Sequence, residues 1–266
     1  MTTTKTHIEG LDINIISKNE NKDISLIFIH GNSLDSTSFQ SQFDAIEFEN
    51  YHLVGIDLPG HGNSSRSENP ADNYSVRGYC EILQKVISSL NLNHVILVGH
   101  SLGGHIAIEL TTQLPSIKGL VIFGTPPIGI PPAMDQMFLP NPNMGLLFQD
   151  ILQETDITIL QDLYHTGYFS IDEAISKSDG NARTYLGESI ALGKFLNERE
   201  ICQNLTIPLL LIHGENDSLV NLDYLKDLEL PTLHKNQIQV IEKSGHSPQI
   251  THHDAFNSVL LEFINC

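Results

Sequence analysis

Short apolar runs recur along the chain, each bounded by Gly, Pro or Asn, and most are followed by a stretch with helical spacing. Ile24–His30 runs up to Gly31, and His52–Asp57 is closed by Leu58-Pro59-Gly60; both read as buried strands. From Tyr74 to Leu90 the apolar positions Val76, Tyr79, Ile82, Leu83, Val86, Ile87 and Leu90 recur at intervals of three and four, which predicts an amphipathic helix. His94–Gly99 predicts a strand, Leu102–Leu114 a helix and Gly119–Gly124 a strand. Ile207–His213 and Gln237–Glu242 predict two further strands, and Asp254–Ile264 a closing helix. Near the start, Leu11–Ser17 alternates apolar and polar side chains as an edge strand does. This alternation of strands and helices predicts an α/β fold, with a mostly parallel sheet covered by helices on both faces.

The rhythm breaks over residues 125–197. That stretch opens on Pro126-Pro127 and Pro131-Pro132 and continues through Pro140-Asn141-Pro142-Asn143 before helical patches at Asp156–Tyr164 and Asp172–Ser178. So long an excursion is seldom bare loop. A helical lid is expected here, inserted into a core formed by residues 1–124 and 198–266. Ile128, Ile130, Met134, Met137, Phe138, Leu146, Leu147 and Phe148 would either line an apolar pocket or pack the lid onto the core.

Composition narrows the partners. A chain of 266 residues suits one α/β domain, and no apolar run approaches the roughly 18–20 residues that cross a bilayer. Met1-Thr2-Thr3-Thr4-Lys5 lacks the apolar core of a signal peptide, so a cytoplasmic protein is expected. With 14 Lys+Arg against 32 Asp+Glu, the formal charge of −18 repels phosphate backbones and anionic membranes, leaving a small molecule as the expected partner. Nothing in the chain decides its oligomeric state. Cys80, Cys202 and Cys266 form no CxxC pair and read as buried or incidental thiols. HExxH, HxHxDH, GxGxxG and P-loop patterns do not occur, so neither a metal nor a cofactor is expected; His252-His253 reads as a surface pair.

Four stretches carry chemistry. Gly99-His100-Ser101-Leu102-Gly103-Gly104 holds a GxSxG pattern, which alone would arise by chance in roughly one chain in ten. Its setting is more telling. It follows the apolar run Val95–Val98 and precedes a helical pattern, the arrangement in which a sharp turn pushes a nucleophilic serine outward. The plainer reading of Ser101 is a helix cap. His30-Gly31-Asn32-Ser33 follows the Ile24 strand, where the residue after His-Gly offers a backbone N–H to an oxyanion; Asn32 is paired in this role with Leu102. Ile212-His213-Gly214-Glu215-Asn216-Asp217 again runs from strand to turn, with Asp217 where a triad acid is expected and Glu215 nearby. Gly245-His246 follows the last strand, 29 residues beyond Asp217, and completes the chain order Ser, acid, His. Ser33 and His100, beside these positions, are candidates for substrate contact.

On these motifs, together with Asp57-Leu58-Pro59-Gly60-His61-Gly62-Asn63-Ser64, the chain resembles the α/β-hydrolase superfamily over nearly its whole length. Shorter stretches resemble the N-acyl homoserine lactonases of that fold: Gly103-Gly104-His105-Ile106-Ala107-Ile108-Glu109, Gly124-Thr125-Pro126-Pro127, Asp179-Gly180-Asn181-Ala182-Arg183 and Val220-Asn221-Leu222-Asp223. The resemblance implies a metal-independent serine hydrolase that opens quorum-sensing lactones. It also implies a lactone-binding lid tyrosine, for which Tyr164 and Tyr168 are the candidates. This chain departs from those lactonases at His100, where they carry Trp, and at Ser218, where they carry a second carboxylate. Other expectations compatible with the same triad are a general carboxylesterase, a C–C hydrolase or cofactor-free haloperoxidase, and a non-catalytic ligand receptor.

Overall fold

Successive side chains of a strand point to opposite faces, so a strand covered on both sides must be apolar at every position. The central strands come close to this condition, with Ser25 and His100 the buried polar exceptions. In β3 (Ile24–Ile29), Leu26 and Phe28 pack with the cluster on one face, and Ile27 and Ile29 with the cluster on the other. β5 (His94–His100) and β6 (Ile117–Phe123) divide in the same way. The computed structural model describes residues 1–167 and 170–266. It completes the sheet with β1 (Thr2–Ile8), β2 (Leu11–Lys18), β4 (His52–Ile56), β7 (Leu209–Gly214) and β8 (Gln239–Ile241). The spatial order is β1-β2-β4-β3-β5-β6-β7-β8, with the β1–β2 and β2–β4 pairings antiparallel and every other pairing parallel.

Helix α1 (Val76–Ser89) and α2 (Leu102–Leu110) cover one face, and α7 (His253–Ile264) covers the other with Phe39, Phe43 and Phe48. Ser75 caps α1 by accepting the Gly78 N–H at 2.9 Å, and the helix buries the apolar stripe expected of it. Between β6 and β7 the chain forms α3 (Glu154–Tyr164), α4 (Asp172–Lys177) and α5 (Gly180–Ala191), and α6 (Glu198–Gln203) leads back to the sheet. No helix among the described residues is long and apolar enough to cross a membrane.

The structure corrects two expectations. Leu11–Ser17 is not at the edge, because Thr2–Ile8 folds back on it as a hairpin around Glu9 and Gly10, both at positive φ. The helix opening at Leu102 stops at Leu110 rather than Leu114. Thr111 and Thr112 turn their hydroxyls onto the carbonyls of Ile108 and Glu109 there, competing with further backbone bonds.

The order of the strands fixes where a ligand can sit. From β3 the chain crosses outward to β4, then returns past β3 to β5, so the connections diverge between β3 and β5. A crevice opens at the carboxyl ends of strands at such a switch point. Asn32 follows β3 and Ser101 follows β5, which places both at its rim.

Candidate active site

Ser101 alone joins β5 to α2, with φ +51° and ψ −117°, a conformation a residue with a side chain seldom adopts. The surroundings hold it there. Its N–H donates to the Phe123 carbonyl at 2.9 Å, and its carbonyl accepts the Thr125 hydroxyl at 2.9 Å. Methyl groups on Gly99 or Gly103 would strike the backbone of Gly103 or of Ile29, so these glycines let α2 double back against the sheet.

His246 and Asp217 arrive on the loops after β8 and β7. His246 Nδ1–H donates to Asp217 Oδ2 at 2.9 Å, while Oδ1 accepts the N–H groups of Leu219 at 2.8 Å and Val220 at 3.1 Å. Burial pushes the Asp217 carboxyl up, but the His246 ring and these N–H donors outweigh it and hold the acid at about 2. The carboxylate therefore fixes the histidine tautomer. His246 Nε2 is buried with no partner, a lone pair ready for a proton. Behind it, His100 Nε2–H donates to the His246 carbonyl at 3.0 Å while its ring stacks on Phe123 with centroids 4.9 Å apart. Burial, then the neighbouring His246, lower the His100 pKa well below its ordinary value, so the supporting ring stays neutral.

Ser101, Leu102, Asn32, Tyr164 and His246 border one cavity of about 490 Å³. The backbone N–H groups of Asn32 and Leu102 have no hydrogen-bond partner among the described residues. The Tyr164 hydroxyl donates to the Asn32 carbonyl at 2.8 Å, and the Asn32 side chain donates to the Leu147 carbonyl at 2.7 Å. Ile128, Met134, Phe138, Leu147 and Phe148 form much of the apolar wall. Ile130 faces solvent at 61% exposure, and Met137 and Leu146 pack with the core instead. Of the other expected contact residues, His100 and Ser33 lie outside the lining. His100 props the His246 loop, and Ser33 turns its hydroxyl toward Asn32 Oδ1 and Arg183, each at 3.4 Å. Tyr168 lies outside the described residues. No group of three or more His, Cys, Asp or Glu side chains among the described residues is arranged to hold a metal ion.

A family model for the alpha/beta hydrolase fold matches residues 24–253. The chain belongs to this family. The non-heme chloroperoxidase CPO-A1 of Kitasatospora aureofaciens is 25% identical to this α/β-hydrolase, covering 95% of this chain and 96% of its own. A 2-hydroxy-6-oxononadienedioate/2-hydroxy-6-oxononatrienedioate hydrolase of Escherichia coli K12 is 24% identical, covering 91% and 87%. Among solved structures, a mutant of the N-acyl homoserine lactonase AidH complexed with N-hexanoyl homoserine lactone superposes with a TM-score of 0.94 at 28% identity, covering 99% of this chain and 97% of that one. A putative aryl esterase from Burkholderia cenocepacia, at 19% identity and a TM-score of 0.82, shares the fold.

Two residues of this α/β-hydrolase stand out that sequence reasoning gave no role. Arg183 is buried and fans its guanidinium over the carbonyls of Gln149 and Asp150, both at 2.7 Å, and the Ser178 hydroxyl at 2.6 Å. It thereby knits together the chain between β6 and β7. His105 borders the cavity one helical turn beyond Ser101, and only that i to i+4 spacing signals it in the sequence.

Proposed function

We propose that this chain is a metal-independent serine hydrolase of carboxylic esters and lactones, with an N-acyl homoserine lactone as its favoured substrate. The observation that carries the reading is the union in one cavity of Ser101, the unpartnered Nε2 of His246, two uncommitted N–H groups and a mostly apolar wall. Residues 125–197 act as the lid that supplies much of that wall. The superposition on a lactonase holding an acylated lactone favours the same substrate class.

In the mechanism, Ser101 Oγ attacks the lactone carbonyl as His246 Nε2 takes its proton. Asp217 stabilises the resulting imidazolium through the Nδ1 bond. The N–H groups of Asn32 and Leu102 receive the oxyanion, and losing one such donor typically costs about 3–4 kcal/mol of transition-state stabilisation. Collapse of the tetrahedral adduct breaks the ring C–O bond, and the released alkoxide, still tethered to the acyl group, regains the proton from His246. Water, deprotonated by His246, then attacks the acyl-enzyme and releases Ser101.

The test is ring opening of a long-chain N-acyl homoserine lactone by the purified protein in EDTA at neutral pH, followed by mass spectrometry beside Ser101→Ala. The expected result is opening that resists chelation and vanishes in the variant. Ser101-dependent cleavage of simple aryl esters without ring opening would retire the lactonase reading in favour of a carboxylesterase.

A further inference from the structure

Several polar side-chain atoms around the cavity are already committed. Tyr164 donates to the Asn32 carbonyl, Asn32 donates to the Leu147 carbonyl, and His246 Nδ1 is bound to Asp217. Ser101 Oγ and His246 Nε2 are left for chemistry. Of the other polar lining residues, Asp135 is exposed to solvent, Asn141 Oδ1 accepts the Asn143 N–H, and His105 is half-committed. His105 borders the same cavity, and its Nδ1 meets Glu198 Oε2 at 2.7 Å. Glu198 is fully buried, and the same oxygen accepts the Ile128 N–H at 2.9 Å, where the chain enters the segment over the cavity. The ring is thus pinned on its Nδ1 side, and Nε2 has no partner among the described residues.

Its position gives that atom a use. His105 N–H donates to the Ser101 carbonyl at 3.3 Å, one helical turn along, and both residues border the same cavity. With its carbonyl on Ser101, a substrate carrying a group on the adjacent carbon would need room and a partner for that group along the wall that His105 shares. Ile128, Phe138 and Leu147 make that region apolar, so a polar substituent entering it would lose its water without another partner.

We propose that His105, held by Glu198, anchors an amide carried on the carbon next to the scissile carbonyl. This proposal rests on the lactone reading and deepens it, since the acylamino group of an N-acyl homoserine lactone occupies that carbon. An amide suits Nε2 in either protonation state: a neutral ring accepts from the amide N–H, and a charged ring donates to the amide oxygen. The alternative role, a staple between α2 and the segment over the cavity, would affect all substrates equally.

The experiment measures calorimetric affinity in a Ser101→Ala background, where nothing turns over, with and without His105→Leu. The ligands are N-hexanoyl homoserine lactone and α-hexyl-γ-butyrolactone, which lacks the amide. The leucine should weaken the first roughly tenfold and leave the second within twofold, and His105→Gln should recover part of the loss. Equal weakening of both ligands, or no change in either, overturns the anchor while leaving the lactone reading intact. Failure of N-hexanoyl homoserine lactone to bind Ser101→Ala at all overturns both. Thermal melts establish that the variants fold; if the leucine does not, His105→Gln carries the comparison.

Discussion

Asp217 must stay charged while buried, and the groups around it decide how. Burial opposes the charge, yet the His246 ring and the N–H groups of Leu219 and Val220 keep the carboxyl near 2. In Asp217→Asn the amide oxygen can still accept those two N–H groups, but its NH₂ then faces Nδ1. The histidine proton must move to Nε2, where it blocks the base, so kcat should fall roughly 10⁴-fold with little change in fold, read from steady-state kinetics and circular dichroism. A second consequence is thermodynamic. The folded acid lies near 2 against about 3.9 unfolded, so it contributes stability above the unfolded value, lost as pH falls through the folded one. Wild type should lose roughly 2 kcal/mol relative to Asp217→Asn between pH 5 and pH 2 in denaturant titrations; parallel profiles would refute the buried-anion account. At this scale the sequence marked Ser101, Asp217 and His246 through the turns that hold them. His100 and Ser33 lie outside the cavity lining, because adjacency along the chain does not say which way a side chain points. His100 ends a strand whose side chains alternate, and it turns away from the cavity toward Phe123 and His246.

Elements repeat the lesson in their packing. The turn at Ser101 depends on α2 lying almost against the backbone of β3. A methyl at Gly103 would run into the Ile29 carbonyl, and backbone cannot swing aside as a flexible side chain can. Gly103→Ala should destabilise by about 3 kcal/mol or more and abolish any Ser101-dependent hydrolysis, measured by thermal denaturation and esterase assay. Over the cavity, Arg183 satisfies three acceptors with one rigid fork that lysine cannot reproduce. Arg183→Lys should cost about 1–3 kcal/mol and speed proteolytic nicking between residues 140 and 180. A nick pattern identical to wild type would remove Arg183 from that role. The sequence made the central strands and α1 legible because their apolar spacing matches their burial. It did not reveal α5, since of its buried residues Ala182, Arg183, Leu186 and Ser189 only Leu186 is large and apolar. β1 was equally silent, since its exposed threonines carry no core-facing alternation and it is held by pairing with β2 and by Ile8 against the core.

For the whole molecule, two electrostatic effects oppose each other as pH falls from neutrality. The formal charge of −18 means that protonating carboxylates relieves self-repulsion, which favours the folded state. Most carboxylates titrate near 4, however, so little relief comes above pH 5.5. Buried histidines act sooner. His61 is buried with its Nδ1–H on the Pro59 carbonyl at 3.0 Å and Nε2 unpartnered, and burial, then His30, push its pKa down to about 3. Burial likewise lowers His30 and His100. A histidine neutral in the fold but titrating near 6.5 unfolded contributes stability that is complete above 6.5 and falls away toward its folded value. At pH 5.5 His61 alone should cost about 1.2 kcal/mol relative to pH 7, or a Tm drop of about 2 °C, with His30 and His100 adding in the same direction. High salt distinguishes the two effects, because screening raises Tm at pH 7 by damping repulsion but leaves the proton linkage of buried rings in place. The acid slope should therefore survive 1 M NaCl, and His61→Phe should gain on wild type as pH falls from 7 to 5.5. A slope abolished by salt would mean that surface charge, not the buried rings, governs acid stability.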